Sequence, residues 1–151
     1  MYFPLFISLK EKEIMIFGGG IVSQRRTKIL LEFGAKVQII SPEISIELQE
    51  LAKENEKLIL HYRNYCPSEL RQPNFVIAAT DDENTNTLIF RECRHKEIPV
   101  NVASNQAQCD FFFPGIIQEG DITIGVTANG KDHKRAAKVT EQIKNLLKEE
   151  Q

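Results

Sequence analysis

The sequence has few cysteines, no long apolar run and no excess of one charge, and each absence argues against a class of protein. Three cysteines, Cys66, Cys93 and Cys109, are an odd number without CxxC spacing, which speaks against a disulfide framework or a zinc site and favours a reducing compartment. No apolar run approaches the roughly 20 residues of a membrane-spanning helix. A net charge of −2 gives no sign of nucleic acid or an anionic membrane as partner. No pair of histidines has metal-ligand spacing, so no metal is expected.

The start of the chain is apolar without being organised as a signal peptide. Residues 1–9 are a short run that contains Pro4, lacks a basic leader and continues directly into the charged residues 10–13. The length of 151 residues and ordinary contents of hydrophobic (42%) and charged (26%) residues are typical of one main globular domain. We therefore expect a soluble, cytoplasmic protein.

Residues 14–102 alternate between short apolar runs and amphipathic stretches, the pattern of βαβ units around a parallel sheet. Strands are expected at 14–17, 37–40, 58–62, 75–79 and 99–102. Helices are expected at 21–33, from Pro42 onwards, and from the capping residues 80–82 to about His95. Because crossovers are right-handed, the fold class predicted is an α/β, Rossmann-like, doubly wound parallel sheet.

Spacing and capping residues predict how the first two helices pack and begin. Apolar residues at helical spacing are expected to bury the first helix against the sheet: Val22, Ile29, Leu30 and Phe33. Gly34 is expected to close this helix. For the second helix, Ser41 is a good N-cap and Pro42 suits the first helical position.

After about residue 104 the pattern changes to a hairpin and a final helix. Three adjacent phenylalanines at 111–113 precede Ile116-Ile117, a turn at Glu119-Gly120 and an alternating strand at 122–126. An amphipathic helix is expected at 132–147, with its apolar side formed by Ala136, Val139, Ile143 and Leu146 or Leu147. We predict a dinucleotide-binding domain at 1–112 and an appended hairpin and helix at 113–151. The apolar hairpin indicates either a dimer contact or ordinary core packing.

The junction between the first strand and the first helix has the parts needed to bind a pyrophosphate. Gly18 permits a tight turn, and Gly20 lacks the side chain that would keep a phosphate away from backbone N–H groups. The following helix directs its positive end at the anion. Ser23 stands where a third glycine is usual and is small enough for close packing. The predicted phosphate-binding residues are Gly18, Gly19, Gly20, Ile21 and Val22.

A ribose-binding acid is expected about 20 residues further on, at the end of the second strand. Glu43 is the acid there, although capping explains Ser41 and Glu43 equally well. No arginine stands beside this turn in the sequence to receive a 2′-phosphate, which favours NAD over NADP. Small residues at the end of the fourth strand leave room for the same cofactor. The cofactor-binding residues predicted at these two strand ends are Ser41, Pro42, Glu43, Ala79, Thr80 and Asp81.

Several motifs recur in a fixed order along nearly the whole chain. They are residues 2–6 (YFPLF), 18–22 (GGGIV) with Arg25, 34–37 (GAKV), 78–82 (AATDD) with Asn86, 101–102 (NV), and 111–114 (FFFP) before 116–117 (II). This set resembles the precorrin-2 dehydrogenase family, which includes the amino-terminal part of siroheme synthase. The resemblance implies NAD-dependent oxidation of precorrin-2 to sirohydrochlorin, sometimes coupled to iron insertion, in a homodimer joined through the hairpin after residue 112.

The sequence departs from the family pattern at two places. Ser104 occupies the position of a family aspartate that the resemblance assigns to catalysis, and residues 127–133 replace a Gly-Gly-x-Ser-Pro stretch. The chain also stops after one helix, so a separate ferrochelatase or helical-domain partner is a candidate to complete the pocket. Three hypotheses follow: an atypical precorrin-2 dehydrogenase, an NAD-binding module without catalysis that serves sensing or assembly, and a sirohydrochlorin metal chelatase.

Candidate catalytic and substrate-binding residues follow from this chemistry. Ser104 requires an activating partner to act as a base, and His133 is a second candidate, as proton acceptor or metal ligand, although a lone histidine in a polar loop is usually neither. Asp81 and Asp82 are the remaining acids near the cofactor. A tetrapyrrole is a polycarboxylate and needs a basic rim. Basic candidates for substrate binding, or else solvated helix faces, are Arg25, Arg26, Lys131, His133, Lys134 and Arg135, of which Arg25, Lys131 and Lys134 are preferred.

Overall fold

A computed structural model describes residues 3–129 and 131–149. The chain forms two compact units, one comprising Ile7–Phe111 and the other the described residues of 1–6 and 112–151. Among the described residues, no helix combines the length and apolarity that crossing a membrane requires.

The larger unit is a five-stranded parallel sheet with helices between its strands. Its elements are β1 (Glu13–Phe17), α1 (Ile21–Glu32), β2 (Lys36–Ile40), α2 (Ile46–Glu54), β3 (Leu58–His61), β4 (Phe75–Ala78), α3 (Glu83–His95), β5 (Val100–Val102) and a short 3₁₀ turn at Gln106–Gln108. The strand order is β3-β2-β1-β4-β5. This is the order of a doubly wound sheet, so the predicted fold class is confirmed.

The core lies along the central strands, whose apolar runs are buried on both faces of the sheet. Ile16 and Phe17 of β1, Ile39 of β2, and Val76 and Ile77 of β4 are inaccessible to solvent. Continuous apolar runs are typical of parallel strands covered by helices on both sides. The strand predictions were therefore correct to within a residue at each end.

Helix α1 packs on the sheet through a face that matches the predicted one only in part. Its buried residues are Ser23, Thr27 and Leu30, whereas Val22 is 40% exposed. Small side chains at Ser23 and Thr27 allow the helix to approach the sheet closely, and their buried hydroxyls lack hydrogen-bond partners. Of the predicted stripe, Leu30 is buried and Ile29 and Phe33 are half-buried. Only Val22 was wrong, because close packing selected small residues at the start of the helix.

The second helix begins later than Ser41-Pro42 predicted. Its first residue is Ile46, with Ser45 at the N-cap, so Ser41 is not the cap and Pro42 is not the first helical residue. The Ser41 hydroxyl instead donates to the carbonyl of Glu43 (2.7 Å). The N–H of Ser45 donates to the carbonyl of Gly19 (2.9 Å). Residues 41–45 are therefore held as a loop against the glycine turn, a tertiary contact that overrides the local capping preference.

In the second unit, β6 (Gly115–Glu119) and β7 (Ile122–Val126) form an antiparallel hairpin, followed by α4 (His133–Glu149). Gly115 lies so close to α4 that a Cβ there would be 2.3 Å from the Thr140 hydroxyl. The helix therefore packs on the hairpin. Leu146 is 61% exposed, so the apolar side of α4 includes Leu147 and not Leu146. Phe111–Phe113 precede the hairpin and are half-buried.

Candidate functional site

A cavity of about 650 Å³ opens at the carboxyl ends of β1, β2 and β4. This volume is in the range of cofactor sites, and the edge is the one where ligands bind in open α/β sheets. Nine of the predicted cofactor residues line it: Gly18, Gly19, Gly20, Ser41, Pro42, Glu43, Ala79, Thr80 and Asp81. The other lining residues are Phe17, Ile40, Ile44, Ser45, Asn64, Tyr65, Asp82 and Thr85.

The three glycines differ in what they permit. A Cβ on Gly18 would lie 2.1 Å from the Ala79 carbonyl oxygen, and its φ is +111°. A Cβ on Gly19 would lie 2.2 Å from the Glu43 carbonyl oxygen, whereas a Cβ on Gly20 would meet nothing within 4 Å. Gly18 and Gly19 thus allow three chain segments to meet, and Gly20 leaves open space in front of the helix.

The residues present fit a dinucleotide diphosphate. Gly20 is the N-cap of α1 and provides no side-chain cap, and the first turn of the helix holds no acidic residue. The first N–H groups of a helix lack intrahelical acceptors and carry partial positive charge. Since Gly20 contributes no Cβ, an anion has direct access to these amides. Ile21 and Val22 follow on this turn with exposed side chains, so only their backbone suits phosphate.

A buried asparagine organises the end of β4. The side-chain carbonyl of Asn86, which is 1% exposed, accepts from the Thr80 N–H (3.1 Å) and hydroxyl (2.8 Å). Its amide donates to the Thr80 carbonyl (3.0 Å) and to the Ser104 hydroxyl (3.5 Å). Asn86 therefore fixes Thr80 in the cavity wall and connects the exposed Ser104 to it.

The two neighbouring aspartates have different surroundings. Asp82 caps α3 by accepting from the N–H groups of Asn84 and Thr85, both at 3.1 Å. The Thr85 hydroxyl hydrogen bond, followed by these amides, lowers the pKa of Asp82. Helix capping thus explains Asp82, whereas Asp81 lines the cavity and does not cap α3.

One wall of the cavity is held by a partly buried carboxylate, that of Glu92, which sequence reasoning missed. Tyr65 packs edge-on against Phe17 with ring centroids 5.3 Å apart, and its hydroxyl donates to Glu92 (2.5 Å). Glu92 also accepts from the Leu70 N–H (3.2 Å) and from the Lys96 ammonium (2.8 Å). Burial, followed by the Glu92 hydrogen bond, raises the pKa of Tyr65. Tyr65 stands in an irregular stretch, and no sequence pattern marked it.

An arginine lies beside the end of β2, contrary to the interpretation of the sequence. The Arg63 N–H donates to the Ser41 carbonyl (3.2 Å), and its guanidinium donates to the Asn64 carbonyl (3.1 Å). The sequence could not show this because Arg63 follows β3, and only the parallel pairing of β2 with β3 brings the two strand ends together.

The remaining predicted site residues are dispersed. Arg25 is exposed on α1. Arg26 donates to the Asn101 side chain (2.7 Å), and burial lowers the pKa of its guanidinium to about 10; it is a packing residue and not part of an open basic rim. The other basic candidates lie in the second unit with exposed side chains: Lys131, His133, Lys134 and Arg135. Among the described residues, no cluster of three His, Cys, Asp or Glu side chains suits a metal ion.

Known proteins with similar sequences and structures agree with this geometry. A family model described as "Putative NAD(P)-binding" matches residues 5–115. "Probable multifunctional siroheme biosynthesis protein HemA" of Ruminiclostridium josui is 39% identical over 146 residues, which is 95% of this chain and 28% of that protein. "Siroheme synthase" of Psychrobacter cryohalolentis is 35% identical over 145 residues, 96% of this chain and 28% of that protein. The chain thus spans between a quarter and a third of the length of these relatives.

A solved structure titled "SirC, precorrin-2 dehydrogenase" has the same fold, with a TM-score of 0.76 and 22% identity, over 99% of this chain and 71% of that one. The sequence matches and the family model agree with the resemblance that the motifs indicated. The chain belongs to the NAD(P)-binding family that this model describes, and within it to the family of the siroheme synthase amino-terminal domain.

Proposed function

We propose that this protein oxidises precorrin-2 to sirohydrochlorin with NAD as the hydride acceptor. The observation that carries the proposal is the convergence of nine sequence-predicted cofactor residues on one cavity. The names of the two relatives point to siroheme biosynthesis, and the name of the solved structure with the same fold supplies precorrin-2 as the substrate. A titration of NAD into purified protein tests cofactor binding, and a precorrin-2 turnover assay then tests catalysis. If neither NAD nor NADP binds, the proposal fails at its first step.

In this function the chain's own residues orient the reactants and accept a proton. The α1 amides and Gly20 would hold the diphosphate, and Thr80, fixed by Asn86, would border the nicotinamide half. Bound NAD supplies the hydride acceptor. Asp81 is the carboxylate proposed to take the proton, because Asp82 is engaged as the α3 cap. The Ser104 hydroxyl, which accepts from Asn86, contributes a hydrogen bond and not a base.

Restoring a carboxylate at position 104 is expected to accelerate turnover. Since a positioned general base contributes roughly 10²–10⁴-fold, Asp81→Asn should lower kcat by roughly 10²–10⁴-fold. Ser104→Asp, which adds a second carboxylate, should raise kcat about tenfold. Steady-state kinetics with precorrin-2 and NAD measure both. Full activity in Asp81→Asn would remove Asp81 from the mechanism.

A catalytically inactive NAD-binding module is the second candidate, and the serine at position 104 favours it. Its signature is NAD binding without turnover in the wild type. The metal-chelatase alternative has less support, because the described residues hold no metal-ligand cluster. Metal insertion into sirohydrochlorin without NAD would support it. Cys66 and Cys93 are free thiols, which favours the proposed cytoplasmic location.

We propose further that the protein is a homodimer through its second unit. Large apolar side chains of that unit are exposed: Phe3, Leu5, Phe6, Ile122 and Leu146. Uncovered apolar surface of this kind is typical of an interface between copies. Light scattering should give the mass of a dimer for the wild type and of a monomer for Ile122→Lys. Ile59→Lys, at a residue 51% exposed on β3, is the matched control and should stay dimeric. A monomeric wild type at high concentration contradicts the proposal.

A further inference from the structure

The stretch after β3 carries an ion pair that the cofactor site described above does not use. The guanidinium of Arg63 contacts Glu69 with its Nη2 atom 2.5 Å from Oε2. The Glu69 side chain is only 13% exposed, whereas that of Arg63 is 45% exposed. The second carboxylate oxygen, Oε1, accepts from the Cys66 N–H (2.7 Å). Glu69 is therefore fixed in place, and it fixes the arginine.

Arg63 is adjacent to two residues that line the cavity near the predicted ribose site. Its backbone N–H donates to the carbonyl of Ser41, and its guanidinium donates to the carbonyl of Asn64. Ser41 and Asn64 both line the cavity. In dinucleotide-binding sheets the end of the second strand is where the 2′ position of the adenosine ribose lies, and a nearby arginine accommodates a 2′-phosphate. A planar guanidinium suits such a phosphate better than an ammonium does.

We propose that Glu69 is a specificity-determining residue that keeps the site selective for NAD by neutralising Arg63. The inference rests on the dinucleotide function proposed above and assigns its preference to one ion pair. A 2′-phosphate would have to compete with a fixed carboxylate for the guanidinium, and would meet the negative charges of both Glu69 and nearby Glu43. The 2′-hydroxyl of NAD carries no charge, so its binding does not require the guanidinium to leave Glu69.

Glu69→Gln is the sharpest test because it removes the charge and keeps the shape. The introduced amide can still accept from the Cys66 N–H through its oxygen, while its NH₂ group presents donors to the donors of Arg63 and releases the guanidinium. Hydrogen bonds to charged groups are worth roughly a tenfold change in affinity or more. We therefore expect Glu69→Gln to tighten NADP binding about tenfold, with NAD binding unchanged within about twofold.

Calorimetry measures the affinities for NAD, NADP, AMP and adenosine 2′,5′-bisphosphate. The proteins compared are the wild type, Glu69→Gln and the double variant Arg63→Met/Glu69→Gln. The double variant should lose the increase in affinity for both 2′-phosphorylated ligands. In Glu69→Gln, added salt should reduce this increase in affinity. Retained NAD binding with an unchanged NADP to NAD ratio in Glu69→Gln overturns this inference alone. A gain that persists without Arg63 also overturns it. Failure of every dinucleotide to bind overturns both this inference and the proposed function.

Discussion

Gly18→Ala is expected to lose both stability and cofactor binding. A Cβ at this position would lie 2.1 Å from the Ala79 carbonyl oxygen, and the backbone has a φ of +111° that side chains rarely adopt. Backbone strain of roughly 1–3 kcal/mol and overpacking of a similar size together give a loss of about 4 kcal/mol in the free energy of unfolding. Urea unfolding followed by circular dichroism measures this loss, and NAD titration at a temperature where the variant is folded measures binding.

Gly20→Ala is the matched control, because it places the same methyl group in the same turn without a collision. Its φ is −90°, and the added Cβ would meet nothing within 4 Å. Stability should therefore stay the same or rise by roughly 0.4–1 kcal/mol. NAD binding should weaken by about tenfold, since the methyl group obstructs the approach of a diphosphate to the helix amides. Unaltered NAD affinity in Gly20→Ala would contradict the assignment of this turn to the phosphates.

Glu92→Gln is the second substitution expected to have a large effect. The Glu92 carboxylate is 11% exposed and accepts hydrogen bonds from Tyr65, Ser68, Leu70 and Lys96. Since hydrogen bonds to charged groups contribute roughly 1.5–3 kcal/mol, the neutral amide should lower the free energy of unfolding at pH 7 by about 2 kcal/mol. NAD binding should weaken as well, because Tyr65 and Asn64 line the cavity.

The pH dependence of this loss identifies the carboxylate as its source. Burial by itself raises the pKa of Glu92, but the hydrogen bonds from Lys96, Tyr65 and two backbone amides outweigh it and lower the pKa below 4.5. A group with a lowered folded-state pKa contributes stability that is complete above its unfolded pKa and is lost as the pH falls through the folded value. The difference in the free energy of unfolding between wild type and Glu92→Gln should therefore be constant from pH 7 to about 5. This difference should become smaller below pH 4.5.

Glu50→Gln provides the comparison for a solvent-exposed carboxylate. Glu50 pairs with Lys53 on α2, and both side chains are more than half exposed, so no measurable change in stability is expected. A difference between wild type and Glu92→Gln that stayed constant down to pH 3 would show that the loss came from altered packing and not from the charge.

Much of the fold could be predicted from the chain because its signals are local. Continuous apolar runs such as Ile14–Phe17 marked strands buried on both faces, and Gly34, with a φ of +82°, marked the end of α1. The glycine turn could be predicted for the same reason, since a strand, three glycines and a helix are consecutive in sequence. These neighbouring residues determine both the turn and the space in front of it.

What the tertiary structure decided concerns residues that are distant in sequence. Gly19 is required because residues 41–45 return to it, and that return also moved the start of α2 from Pro42 to Ile46. Tyr65 is held by Glu92, and Arg63 reaches the end of β2 through strand pairing. Local preference and periodicity carry no information on which strand ends meet or which loop packs on which turn. The sequence by itself therefore determined the sheet, its order of elements and the phosphate turn, whereas close packing between separate segments decided the walls of the cavity and the charge beside the ribose.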